Sequence, residues 1–249
     1  MTVPVHVTDC SFGYRRGTRV LEDFSLRLDP GCSVLLGPNG AGKSTLLGLI
    51  ASAFRPETGR ITLDGLDTRS RKDRKAYRRK VGWLPQQVRP VPGLSVREQA
   101  AYAGWLKGMS RSEAWERSEQ AIGRVGLAPL AGRRSAALSG GQLRRLGIAQ
   151  TLVHGAQLVL MDEPTAGLDP VQRGVFRELI GELKNLSSFV VSTHQTEDLA
   201  EIYDAVVLLD RGQVRHQGPI DSFLALAPEG VPPERRAEAA YAGVVTGEV

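Results

Sequence analysis

The stretch GPNGAGKST, Gly37 to Thr45, constrains this chain more than any other. It fits GxxxxGK[ST] in full, follows the apolar run SVLL and precedes LLGLI, which has helical spacing. Glycines at a strand-to-helix junction let backbone N–H groups turn inward on a bound anion, so the loop holds phosphates. Its candidate binding residues are Gly37, Pro38, Asn39, Gly40, Ala41, Gly42, Lys43, Ser44 and Thr45. Lys43 is placed to reach the β- and γ-phosphates of a nucleotide, and Ser44 to give a hydroxyl to Mg2+.

The rest of the chain supplies the setting that such a loop needs. Short apolar, β-rich runs recur at 3–7, 33–37, 60–65, 157–162, 189–194 and 204–210. Helical spacing lies between several of them, at 45–54, 174–186 and 196–204, the last with Thr196 as its N-cap. Alternating strands and helices predict an α/β fold with a mainly parallel sheet covered on both faces. Residues 87 to 137 have little strand character and predict a small helical insertion, in which Ser95 and Glu98 form a capping box. From about Asp221 onward the chain is rich in Ala, Pro and Glu and predicts a short helix with a loose terminus.

Carboxyl ends of parallel strands converge on one edge of the sheet, where ligands bind. LVLMDEP, Leu158 to Pro164, therefore delivers two acids to the phosphate site: Asp162 toward Mg2+ and Glu163 toward an attacking water, as strand alternation points them apart. FVVSTH brings His194 to the same edge, within reach of a γ-phosphate. Gln86 and Gln87, after VGWLP, offer amides to a metal or a water, and Tyr14 offers a ring to a purine. LSGGQ, Leu138 to Gln142, leads straight into a helix, with Ser139 as N-cap. It is a second phosphate grip, and chain geometry does not say which nucleotide it holds.

Composition narrows the partners. No apolar run approaches the roughly 18 residues that a membrane span requires. The N-terminus lacks a secretory pattern, which places the chain in the cytoplasm. Cys10 and Cys32 lack the spacing of a disulfide framework or a zinc site. The formal net charge of +5 decides little. RSRKDRKAYRRK, residues 69 to 80, holds eight basic residues and one acidic one, with Tyr77 its sole aromatic. It reads as a solvated helical face rather than a nucleic-acid site.

Taken in order, these motifs resemble the ATP-binding cassette (ABC) ATPases over nearly the whole chain. The Walker A loop looks like Gly37 to Thr45, the signature like Leu138 to Gln142, and the Walker B strand like Leu158 to Glu163. TAGLD, Thr165 to Asp169, looks like the D-loop, Gln86 like the Q-loop glutamine, His194 like the switch histidine and Tyr14 like the adenine-stacking aromatic. The resemblance implies a P-loop core with an N-terminal antiparallel β subdomain and an inserted helical subdomain at 87–142, the cassette spanning 1–220 and a short tail 221–249.

It also implies an ATPase that uses ATP and Mg2+, with Glu163, His194, Lys43 and Gln86 catalytic, and Ser44, Gln86 and Asp162 attending the metal. Ser139, Gly140, Gly141, Gln142 and Asp169 would meet nucleotide across a head-to-tail dimer. The expected partners are a second copy and separate membrane-spanning subunits at the inner face of the membrane, docked on the helical insertion near Gln86, with no nucleic acid. Export is the expected direction, from the tail AEAAYAGVV. The alternative is a soluble cassette ATPase acting in DNA repair or translation, against which stands a single cassette with only about fifty residues between Gln86 and the signature. A kinase or GTPase lacks its NKxD-like motif here and leaves LSGGQ unexplained. Leu143 and Gln150 depart from the family's usual polar or basic residue and arginine, which touches local helix contacts and removes no catalytic group.

Overall fold

The computed structural model describes residues 3–15, 18–197 and 199–247. Strand β1 (Val5–Arg15) pairs antiparallel with β2 (Thr18–Leu28); β3 (Cys32–Leu36) then starts a second sheet and runs through the phosphate loop into α1 (Lys43–Ile50). β4 (Thr58–Leu63) returns to β1, and with β5 (Leu66–Asp67) completes an antiparallel sheet of order β2-β1-β4-β5. Helix α2 (Arg74–Lys80) leads into β6 (Val81–Leu84). A helical segment follows: α3 (Val96–Leu106), α4 (Arg111–Arg124) and α5 (Gly140–Leu152). The chain then alternates through β7 (Leu158–Asp162), α6 (Pro170–Leu183), β8 (Ser188–Thr193), α7 (Leu199–Ile202) and β9 (Ala205–Asp210). It ends with β10 (Gln213–Pro219), α8 (Ile220–Leu224) and α9 (Arg236–Thr246).

The second sheet has the order β10-β9-β3-β8-β7-β6 and is parallel except for β10 at its edge. Its central strands are buried on both faces, and alternation divides them between two cores. Val34, Leu36, Val159, Met161, Phe189 and Val191 face the helical segment and α6, whereas Leu35, Leu158, Leu160 and Val190 face α1 and the antiparallel sheet. Such double coverage explains why these strands read as unbroken apolar runs. It also presents the ends of β3, β7 and β8 side by side.

Several boundaries move for local reasons. The helix expected at 45–54 stops at Ile50, since Ser52 takes a left-handed φ of 55°. The one expected at 174–186 starts earlier, at Pro170, because Asp169 caps it by accepting from Gln172 N–H at 2.8 Å and proline is preset for a first turn. Of the helix expected at 196–204 only Leu199–Ile202 is helical, and its Asp198 lies outside the described residues. Tyr77 is fully buried and donates its hydroxyl to Ile50 O at 2.7 Å, so the basic run has no aromatic to offer a base. The tail holds two short helices whose Phe223, Ala237 and Ala240 join the main core.

Candidate active site

The phosphate loop depends on a close crossing of backbones. A Cβ on Gly37 would stand 2.1 Å from Leu209 O of β9, so only glycine lets the loop leave β3 there. Lys43, 6% exposed, donates through Nζ to Gly37 O at 2.6 Å and Pro38 O at 3.0 Å. It lies 3.8 Å from Glu163 Oε1. Burial pulls its ammonium below the ordinary lysine value, while Glu163 and Asp162 act in the opposite direction. The side chain is thus folded over its own loop, aimed at the place where phosphates would satisfy it better than two carbonyls do.

Asp162 ends β7 and Ser192 stands beside it in register on β8. Ser192 Oγ donates to Asp162 Oδ1 at 2.6 Å, and Ser44 Oγ donates to the same oxygen at 3.0 Å. Among the described residues no group of three or more His, Cys, Asp or Glu could hold a metal ion alone. A hydroxyl and one carboxylate fit Mg2+, which uses few protein carboxylates and fills its shell with phosphate oxygens and waters.

Glu163 adopts a left-handed φ of 45°. That costly turn, rather than strand alternation, swings its carboxylate away from Asp162. Its N–H is held by Ser192 O and Oγ, both at 3.1 Å, and its Oε1 lies 3.0 Å from His194 Nδ1. Its carbonyl accepts from Arg144 Nη2 at 2.8 Å, and Arg144 Nη1 donates to Pro85 O at 3.0 Å. This guanidinium is 8% exposed; burial works against its charge, while Asp162 and Glu163 favour it. One arginine of α5 therefore ties together the residue before Gln86 and the turn that carries Glu163. Sequence reading missed both Arg144 and Ser192. Arg144→Ala leaves two carbonyls without their donor, and we expect a loss of about 1–3 kcal/mol in chemical unfolding. Turnover should fall on the order of tenfold as the Glu163 turn loosens.

A cleft of about 320 Å³ collects Tyr14, Pro38, Asn39, Gly40, Gly42, Lys43, Ser44, Thr45, Gln86 and Glu163. Gly37 and Ala41 lie buried beneath it as supports. Tyr14 hydrogen-bonds Thr45 Oγ1 at 3.0 Å and packs edge-on against Phe12 and Phe54, which fixes a ring still 59% exposed. Gln86 is exposed at the rim.

The signature lies elsewhere. Ser139 caps α5 by a full capping box with Gln142, and Ser139, Gly141 and Gln142 line a separate crevice against Gln172 and Leu168. Gly140 is exposed beside Ser139, and Asp169 is an exposed helix cap. None of these five residues lines the phosphate cleft of its own chain.

Comparison with known proteins agrees with this geometry. Residues 21–166 match the ABC transporter family. The chain is 34% identical over 225 residues to the ABC transporter ATP-binding protein NatA of Bacillus subtilis, covering 88% of this chain and 91% of NatA. It is 36% identical over 219 residues to the cobalt import ATP-binding protein CbiO of Rhodobacter capsulatus, covering 86% of this chain and 78% of CbiO. The ATP-binding cassette MJ0796, solved as a dimer in a post-hydrolysis state with ADP and Pi, superposes with a TM-score of 0.77 at 26% identity, over 87% of this chain and 98% of that one. A phosphate loop, two acids at a strand end and a capped signature helix, set on this fold and matched over this length, make the chain a member of the ABC transporter ATP-binding family and an ATPase.

Proposed function

We propose that this cassette hydrolyses ATP at two composite sites of a head-to-tail homodimer and drives separate membrane-spanning subunits. The observation that carries the reading is the separation within one chain of the Lys43 cleft from the Ser139 helix cap, two phosphate grips that cannot serve one nucleotide unaided. A second copy related by a twofold axis brings each cap over the other's cleft.

In that arrangement Lys43 exchanges the Gly37 and Pro38 carbonyls for phosphate oxygens, and Tyr14 supports the purine. Ser44, Asp162 and Gln86 would hold Mg2+, which would supply charge neutralisation at the phosphates. Glu163 orients the attacking water and takes its proton. His194 meets the γ-phosphate through Nε2. Its Nδ1 lies 3.0 Å from Glu163 Oε1, a contact that orients the ring. Asp169, at the start of α6, faces the neighbouring subunit.

Among the described residues no helix is long and apolar enough to cross a membrane. The groove that would receive the membrane-spanning subunits runs beside Gln87, Val88, Ala103, Leu106 and Gly147, between the parallel sheet and the helical segment. The domain division follows the same logic: a cassette of 1–220 with its helical unit at 87–142, and a tail, 221–249, whose helices α8 and α9 pack on it. Export remains part of the proposal, although CbiO is named an import protein and its cassette is as similar as that of NatA. Direction and cargo thus belong to the membrane subunits, at the inner face of the membrane.

The test is to identify the neighbouring reading frames and to coexpress this chain with a polytopic membrane protein found among them. A detergent-stable complex is expected, with ATP turnover that responds to the membrane protein, and Leu106→Asp should cut recovery of that complex at least fivefold. Purification with ribosomes or DNA and no membrane protein would sink the assignment.

A further inference from the structure

We propose that the helical segment and the adjoining basic run at 69–80 form a contact surface for an anionic lipid bilayer, beside the groove for protein subunits. Two observations outside the nucleotide site carry this. The first is an aromatic patch: Tyr102, Trp105 and Trp115 are 40%, 48% and 44% exposed and line a cleft of about 370 Å³. The rings of Tyr102 and Trp105 stack at 5.8 Å, and Leu106, 62% exposed, extends the patch to the rim of the subunit groove. Large aromatics with a polar edge left open to water, on a segment with no other need to expose them, suit the boundary between headgroups and acyl chains.

The second is the charge run at 69–80, which the ATPase chemistry does not use. The side chains of Arg71, Lys72 and Lys75 are exposed and make no hydrogen bond or ion pair among the described residues. Helix α2, which carries Lys75 and follows Arg71 and Lys72, is fastened to the aromatic segment: Arg79 donates to Lys107 O at 3.1 Å and Gly108 O at 3.0 Å, immediately after Trp105 and Leu106. The basic helix and the aromatic segment are therefore neighbours.

Acids on α4 do little to offset this. Glu113 pairs with Arg117 at 3.1 Å and Glu119 with Arg97 at 3.0 Å, which leaves Glu116 exposed. Arg97 also lies 4.1 Å over the Trp115 ring, and Arg111 lines the same cleft. Cations near amphipathic rings are complementary to anionic headgroups. Leu106, shared between patch and groove rim, places this surface beside the docked membrane subunit, and in that respect the proposal rests on the transporter reading.

The experiment is cosedimentation of the full-length chain with vesicles, without membrane subunits. Vesicles of phosphatidylcholine with about a third phosphatidylglycerol should bind at least tenfold more tightly than phosphatidylcholine alone, with a blue shift of tryptophan emission. Charge reversal of Arg71, Lys72 and Lys75 to Glu should weaken binding at least tenfold, and Trp105→Ala at least fivefold while removing most of the shift. ATP turnover within about twofold of the parent would certify both variants as folded, since none of these residues touches the nucleotide cleft. Equal binding to both vesicle types, no binding, or a charge-reversed variant that binds as well as the parent overturns the proposal. So does binding of duplex DNA or RNA in place of vesicles, or a Trp105→Ala effect confined to self-association. Such failures leave ATP turnover, dimerisation and subunit copurification untouched, so they are distinguishable from failure of the transporter reading.

Discussion

Glu163→Gln is expected to lower phosphate release at least about a hundredfold while ATP binding persists and an ATP-dependent dimer accumulates on size exclusion. The substitution keeps shape and removes charge. Glutamine tolerates the left-handed φ of 45° no better and no worse than glutamate, and the N–H bonds to Ser192 and the carbonyl bond to Arg144 involve backbone only. The scaffold around the position should therefore survive. What goes is the carboxylate 3.0 Å from His194 Nδ1 and 3.8 Å from Lys43 Nζ. An amide cannot take a proton from water, so chemistry stops. Losing a buried negative charge beside the phosphates also relieves repulsion toward ATP, which favours the bound, closed pair over the open one. A variant that hydrolyses ATP at the parent rate and stays monomeric with ATP would refute the role of Glu163.

The features of this site that were legible in the sequence are those fixed by local chain geometry. Gly37 to Lys43 declare a phosphate loop because glycine spacing and the flanking periodicities change within a few residues, and Ser139 declares a cap because a serine and two glycines lead straight into a helical run. Asp162 and Glu163 were placed correctly at a strand end, but their divergence comes from a backbone turn that no periodicity reports. Ser192 and Arg144 stayed hidden for a different reason. A serine in FVVST means nothing until the parallel register sets it beside Asp162, and Arg144 looks like any basic residue of an amphipathic helix until α5 packs it under the Gln86 loop. β2 and β10 were also missed. β2 buries only its inward-facing residues and β10, at the sheet edge, buries none, so neither carries the unbroken apolar signal of the central strands.

Mixing two inactive variants should restore activity that neither has alone. Ser139→Arg blocks the signature cap in both sites of its homodimer, and Lys43→Ala removes the phosphate-loop ammonium in both sites of its own. Each preparation by itself is expected to be inactive. In a heterodimer of the two, both lesions fall in the same composite site, and the other site combines an intact Lys43 with an intact Ser139. Random pairing at equal concentrations makes about half the dimers mixed, with one good site each, so turnover should recover to about a quarter of the parent value. Differently tagged subunits report the mixed dimer itself, which separates assembly from chemistry. The opposite arrangement gives the opposite result: were Ser139 to serve the nucleotide of its own chain, every subunit in the mixture would carry a lesion and nothing would recover. A control with both substitutions in one chain, mixed with unaltered chain, sharpens the contrast. Its heterodimers have one lesion in each site, so they should be silent if the sites are shared and half active if they are not. The separation of the Ser139 crevice from the cleft around Lys43 thereby becomes a measured property of the dimer.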